Sequence, residues 1–137
     1  MVSKTADQID KTDVEWQAQL TAEQYAVCRQ KATERPGSGH YYRHTESGVY
    51  TCVCCDTPLF ASETKYDSGS GWPSFWAPLD TQAVATAVDV SHGMRRVEIL
   101  CRRCGSHLGH VFDDGPQPTG QRYCVNSISL GFVASDA

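Results

Sequence analysis

No apolar run in this chain approaches the roughly 18 residues of a membrane-spanning helix. Its first residues, MVSKTADQIDKTDVEW, hold neither an apolar export segment nor a small-residue cleavage site. A cytoplasmic, reduced protein with no membrane partner is expected. Basic charge is also scarce: 12 Lys and Arg stand against 16 Asp and Glu, for a formal net charge of −4. A sequence-independent nucleic-acid binder needs a basic surface that displaces counterions, so no nucleic-acid partner is expected. No linker divides the chain, and nothing repeats except two cysteine pairs. The expectation is a flexible N-terminus over 1–12 and one domain over 13–135, acting as a monomer. A length of 137 residues suffices to bury a core without disulfides.

What is present is cysteine, seven in all. In a reducing compartment, cysteines in C-x-x-C pairs point to metal or redox chemistry. Around them the texture is β-type after a short helical start. Asp13 is expected to cap a helix carrying Trp16 and Leu20. Thr21, with Gln24 three residues on, opens a second helix by a capping box. Tyr25, Cys28 and Ala32 share its inward stripe, and the stretch from Arg35 to Gly39 stops it. Strands are expected at Gly48–Cys52, Pro58–Phe60, Trp72–Trp76, Ala83–Val90, Arg96–Cys101 and Arg122–Val133. Ser91-His92-Gly93-Met94 reads as the turn of a hairpin. The fold class is therefore mainly β, with short N-terminal helices packed at one end.

Cys52 with Cys55, and Cys101 with Cys104, each end a β-type run and each present two thiols from one tight turn. Two such knuckles supply the four soft ligands of a tetrahedral zinc site. The residue after each knuckle needs a positive φ, which Gly105 adopts freely and Asp56 tolerably. A local site of Cys101, Cys104, His107 and His110 is the rival, and it leaves Cys52 and Cys55 without a purpose. Buried free cysteines are the bland alternative, under which the paired spacing is coincidence. Cys54, between the ligands of its own knuckle, is expected to point away from the metal.

Cys124 stands apart from the pairs. On a strand, Arg122, Cys124 and Asn126 share one face. A guanidinium two residues from a thiol favours the nucleophilic thiolate. His107 and His110 are suited to proton delivery near neutral pH. Trp72, Phe75 and Trp76, set around Pro73 and next to Gly71, are candidates either for core or for the walls of an apolar pocket.

The segments YDSGSGWPSF (66–75), GHVFDDGP (109–116) and RYCVNS (122–127) resemble those of the methionine-R-sulfoxide reductases, B type. The resemblance extends from about Trp16 to Phe132, with both cysteine pairs at the family's zinc positions. It implies two antiparallel sheets pinned by one structural zinc held by Cys52, Cys55, Cys101 and Cys104. It implies that Cys124 attacks the sulfoxide sulfur of oxidised methionine, free or in proteins under repair, and becomes a sulfenic acid. His107 and His110 are then the candidates that protonate the departing oxygen. Asp114, with Asp113 second, orients the histidines; Arg122 stabilises the thiolate, and Asn126 positions the site. Trp72 packs on the substrate methyl group, with Phe75 and Phe112 as further binding residues. Thioredoxin or a similar dithiol is the implied reductant.

One position departs from the family. Many members carry a resolving cysteine in a Gly-Cys-Gly-Trp segment, and here Ser70 occupies that place. Cys28 is the favoured substitute, with Cys54 or an external thiol as alternatives.

Overall fold

The computed structural model describes residues 9 and 11–135; the rest of the expected flexible N-terminus lies outside the described residues. Ile9 is already docked, its backbone N–H donating to the Arg103 carbonyl at 2.7 Å. Helix α1 covers Asp13–Gln19, and its cap is Thr12 rather than Asp13. The Thr12 hydroxyl accepts from Glu15 N while the Glu15 carboxylate accepts from Thr12 N, a reciprocal box that Asp13 has no partner to make. Helix α2 covers Ala22–Gln30, opened as expected by Thr21 and Gln24. It ends earlier than expected, at Lys31, whose φ of 61° turns the chain into the left-handed region. For a residue with a Cβ that conformation costs roughly 1–2 kcal/mol.

Nine strands follow among the described residues. β1 (Gly48–Cys52), β2 (Pro58–Ala61) and β9 (Leu130–Ala134) form a three-stranded sheet in the order β2-β1-β9. β3 (Lys65–Tyr66), β4 (Ser74–Phe75), β5 (Val84–Asp89), β6 (Arg96–Cys101), β7 (His107–Phe112) and β8 (Arg122–Val125) form a six-stranded sheet ordered β3-β4-β8-β7-β6-β5. Every pairing is antiparallel. The expected hairpin turn at 91–94 joins β5 to β6.

Two further departures from the expected strands have local reasons. The run Arg122–Val133 is not one strand: after β8 the chain makes a 3₁₀ turn at Ser127–Ser129 and crosses to the other sheet as β9. Buried Asn126 drives the break, because its backbone N–H and its Nδ2 both donate to Leu108 O. The second failure is β7, unread in the sequence because Gly109 and a β-bulge interrupt its alternation. Gly109 is required where it stands, since a Cβ there would collide with the Cys124 carbonyl of β8.

The core contains Tyr50, Leu59, Phe60, Phe75, Ile99, Leu108 and Val125, with Trp16 closing the helical end. Phe75 stacks on Phe60 at 4.4 Å between ring centroids and meets Tyr50 edge-on at 5.3 Å. α2 packs on β7, an interior strand of the six-stranded sheet, and on the 3₁₀ turn.

Candidate active site and metal centre

The two cysteine knuckles have the same backbone construction. Asp56 N donates to Cys52 O and Gly105 N to Cys101 O, each at 2.8 Å. Cys52 N and Cys101 N donate to Thr57 O and Ser106 O, at 2.8 and 2.9 Å. The turns close through Asp56 at φ 64° and Gly105 at φ 77°, as the spacing predicts. The four sulfurs of Cys52, Cys55, Cys101 and Cys104 lie within 4.8 Å of one another, a group able to hold a metal ion. Bonds of about 2.3 Å from a tetrahedral zinc set sulfurs about 3.8 Å apart. The Cys52–Cys104 and Cys55–Cys101 separations are both 3.6 Å, so the donor set and the spacing fit that ion. His107 and His110 take no part in the cluster, and neither does Cys54.

The second group of reactive side chains is laid out by sheet register. Ser74, Cys124, His110 and Glu98 are consecutive cross-strand partners on β4, β8, β7 and β6. Two residues further along the same strands, Arg122 of β8 pairs with Phe112 of β7, and Arg96 of β6 with Asp89 of β5. Directly opposed residues project to the same side, and so do residues two apart on one strand. One face of the sheet thereby collects a thiol, an imidazole, two guanidinium groups and two carboxylates.

His107 and His110 are three apart, which on a regular strand places them on opposite faces. The bulge corrects this: Leu100 and Ile99 pair with His107 and Gly109, so Leu108 is the extra residue. The two rings meet edge-on, 5.6 Å apart. His110 Nε2 contacts Asp89 Oδ2 at 2.8 Å, and Arg96 lies 3.7 Å from the same oxygen. His107 Nδ1 contacts Glu98 Oε2 at 2.6 Å, and Lys31 Nζ lies 3.1 Å from the other oxygen of Glu98.

Asp114 was expected to orient the histidines, and it does something else. Its carboxylate accepts from Arg122 Nε at 2.9 Å and from Nη2 at 3.2 Å, and among the described residues no hydrogen bond joins it to either imidazole. Glu98 and Asp89 hold the rings instead. Asp113 likewise has no contact with them among the described residues.

Above this face lies a cavity of about 260 Å³, lined by Thr33, Ser70, Trp72, Arg96, Gly109, His110, Phe112, Arg122, Cys124 and Asn126. Trp72 is anchored by its Nε1, which donates to Glu34 O at 3.1 Å. Phe112 carries the Arg122 guanidinium over its ring at 4.4 Å. Asn126 Oδ1 accepts from Glu34 N at 3.1 Å, tying the segment after α2 to the end of β8. Phe75, expected at the substrate, is fully buried in the core: its register partner is Tyr123, so strand alternation turns it away from Cys124. His107 is buried behind the cavity and does not line it. A larger cavity of about 450 Å³ opens between Tyr42–Thr45 and Ser62–Asp67 and contains no cysteine.

Burial pushes the Cys124 thiol above the ordinary range, while the Ser70 hydroxyl and Arg122 pull it down. The sequence suggested that Arg122 would prevail. It does not, because burial outweighs it and Asp114 occupies the guanidinium with two hydrogen bonds. Cys28 is on the buried face of α2, its Sγ 3.8 Å from Ser129 Oγ and in contact with Cys54, outside the cavity lining. Sequence reasoning missed Glu98, Asp89, Glu34 and Lys31. The one available signal was Glu98, a lone acid inside the apolar run Val97–Leu100.

A mainly β protein with a Cys₄ cluster able to hold a metal ion, and a cysteine facing a histidine on the adjacent strand, fits one class: a thiol-based oxidoreductase. The SelR domain family matches residues 20–134. A Hahella chejuensis protein named peptide methionine sulfoxide reductase MsrB is 64% identical over 130 residues, 95% of this chain and 94% of that one. Proteins of the same name from Methanosarcina mazei and Pseudomonas syringae are 54% and 58% identical, over 95% and 93% of this chain and 93% and 97% of theirs. The chain belongs to the MsrB family of methionine sulfoxide reductases.

Proposed function

We infer that the chain works as a peptide-methionine (R)-S-oxide reductase, with Cys124 as nucleophile and His110 as the acid. The observation that carries this is the cross-strand pairing of Cys124 with His110 in one cavity walled by Trp72 and Phe112. The Cys124 thiolate attacks the sulfoxide sulfur. The oxygen passes to Cys124 as a sulfenic acid, a proton from His110 is taken up by that oxygen, and the substrate leaves as the thioether. Sulfur 124 is oxidised and the methionine sulfur reduced, so electrons balance without a further reactant.

Trp72 and Phe112 are placed to pack on the methyl and methylene groups beside sulfur. Arg122 and Ser70 stabilise the thiolate against the cost of burial. Zinc in the Cys₄ cluster is structural on this reading: all four of its positions are taken by cysteine, and none faces the cavity.

A second thiol clears the sulfenic acid. Ser70, 3.7 Å from Cys124, cannot form a disulfide. Cys28 must leave its packing on the inner face of α2 to meet Cys124, since bridged cysteines need Cα atoms within about 7 Å. An external dithiol such as thioredoxin, entering through the cavity, needs no such movement and is the favoured reductant. The test is turnover of resolved R- and S-sulfoxides of dabsylated methionine with dithiothreitol, for the wild type and Cys124→Ser. Reduction of the R form only, lost in the variant with metal content unchanged, supports the reading. Equal activity in the variant removes it.

A further inference from the structure

Both imidazoles are backed by a carboxylate and then a cation, but the two arrangements differ in one respect. His110 opens on the cavity, whereas His107 is 2% exposed and its Nε2 has no hydrogen-bond partner among the described residues. Its other nitrogen is committed to Glu98, itself 1% exposed, and Glu98 spends its second oxygen on Lys31, whose side chain is 62% exposed. A carboxylate is seldom buried this deeply without a full set of partners, and here the cation reaches in from solvent. Lys31 achieves that reach from a left-handed backbone position where glycine is the usual residue, and strain of this kind points toward a purpose for the side chain.

We propose that Glu98 and Lys31 are positioning residues for proton delivery: Glu98 fixes His107 with its proton on Nδ1, and Lys31 neutralises Glu98 so that the ring stays uncharged beside His110. The inference rests on the reading of His110 as the acid and deepens it. A second imidazolium 5.6 Å from His110 would repel the proton that His110 has to deliver. With Lys31 removed, the Glu98 carboxylate is left as a bare buried anion against His107, and it draws a proton onto Nε2. The added charge on His107 then repels the proton on His110.

The charged and titratable groups around His107 fit this account. They are Glu98 from β6, Lys31 from the end of α2 and His110 on the same strand, with the Cys28 thiol of α2 beyond Ser106 and Ser129. The 3₁₀ turn contributes only a hydroxyl, that of Ser129, which donates to the His107 carbonyl at 2.9 Å. Burial lowers the His107 pKa more than Glu98 raises it, which agrees with a neutral ring.

The experiment is nitrogen-15 NMR of the histidines in the zinc-loaded full chain near pH 7, together with the pH profile of kcat. In the wild type, His107 is expected as the neutral tautomer protonated at Nδ1, a measurement that needs no variant. Lys31→Asn keeps a residue that tolerates the left-handed turn and removes the charge. It is expected to make His107 doubly protonated, to move the basic limb of kcat to lower pH, and to lower kcat at neutral pH about tenfold or more with KM within about twofold. Lys31→Arg restores both readouts.

A wild-type ring protonated at Nε2, or charged, overturns the proposal. So does a Lys31→Asn protein whose tautomer and pH profile match the wild type. If the wild type reduces no sulfoxide, the reading of the site has failed, and the NMR result still decides what Glu98 and Lys31 do to the ring.

Discussion

Ser70 Oγ lies 3.7 Å from Cys124 Sγ. The hydroxyl is held by Ser68 Oγ at 2.9 Å, and Ser68 reaches buried Ser74 at 2.7 Å, so three hydroxyls lead to the sulfur. A hydroxyl donor favours the thiolate, and burial opposes it. Ser70→Ala is therefore expected to raise the Cys124 pKa further and to slow its alkylation by iodoacetamide at pH 8. A rate equal to the wild type's would show that the contact does not reach the thiolate.

Replacing the oxygen at this position by sulfur has a second consequence. Ser70→Cys is expected to trap an intramolecular disulfide with Cys124 after one equivalent of R-sulfoxide, seen as a non-reducing mass change and as loss of free thiol. Continued accumulation of sulfenic acid in that variant would mean the two side chains cannot meet in disulfide geometry.

A metal held by the Cys52, Cys55, Cys101 and Cys104 cluster is expected to carry the fold. Structural zinc sites contribute about 10–16 kcal/mol of apparent binding energy in small zinc peptides, against a net stability of about 5–15 kcal/mol for a whole domain. Cys101→Ser, or prolonged chelation, is expected to collapse the melting transition and abolish activity together. A chelated protein that keeps its melting temperature would contradict a structural role.

Glu34 supplies a pH signature. Its carboxyl is buried, one oxygen accepts from Ile128 N at 3.0 Å, and the other has no partner among the described residues. Burial raises its pKa above the ordinary value. A raised acid pKa means the folded state holds its proton longer than the unfolded chain does. This contribution to stability is thus present at acid pH and falls as pH rises from the unfolded pKa through the folded one. Glu34→Gln is expected to melt close to the wild type near pH 4 and above it at pH 7. A pH-independent difference between the two would contradict the burial of an ionising group.

Phe75 and Phe112 separate core from site. Phe75→Ala should cost about 3–5 kcal/mol of stability, as for other large aromatic truncations in a core, with kcat/KM per folded molecule nearly unchanged. Phe112→Ala removes a wall of the cavity and the platform under Arg122, so kcat/KM is expected to fall while the melting temperature shifts little. The reverse pattern would put Phe75 back at the substrate.

Much of this was readable in the chain itself. The knuckles were, because two C-x-x-C pairs with Asp56 and Gly105 behind them state their own geometry. Strands Gly48–Cys52 and Arg96–Cys101 were, because their composition and turn flanks are unambiguous. The partners of the histidines were not. Glu98 and Asp89 reach them through the register of β5, β6 and β7, and the bulge at Leu108 changes which residues share a face. Phe75 and Phe112 look alike as letters, and only strand alternation divides them. Lys31 was invisible because its role depends on where the helix end points.

The account depends most on Cys124 accepting the oxygen. One equivalent of a methionine-R-sulfoxide, added to zinc-loaded protein without reductant, followed by mass spectrometry of a dimedone adduct, tests this directly. The expected result is one adduct per chain on Cys124, with one equivalent of methionine released and the four zinc cysteines unmodified. Methionine formed with Cys124 unmodified, or an adduct on a zinc ligand instead, would contradict it.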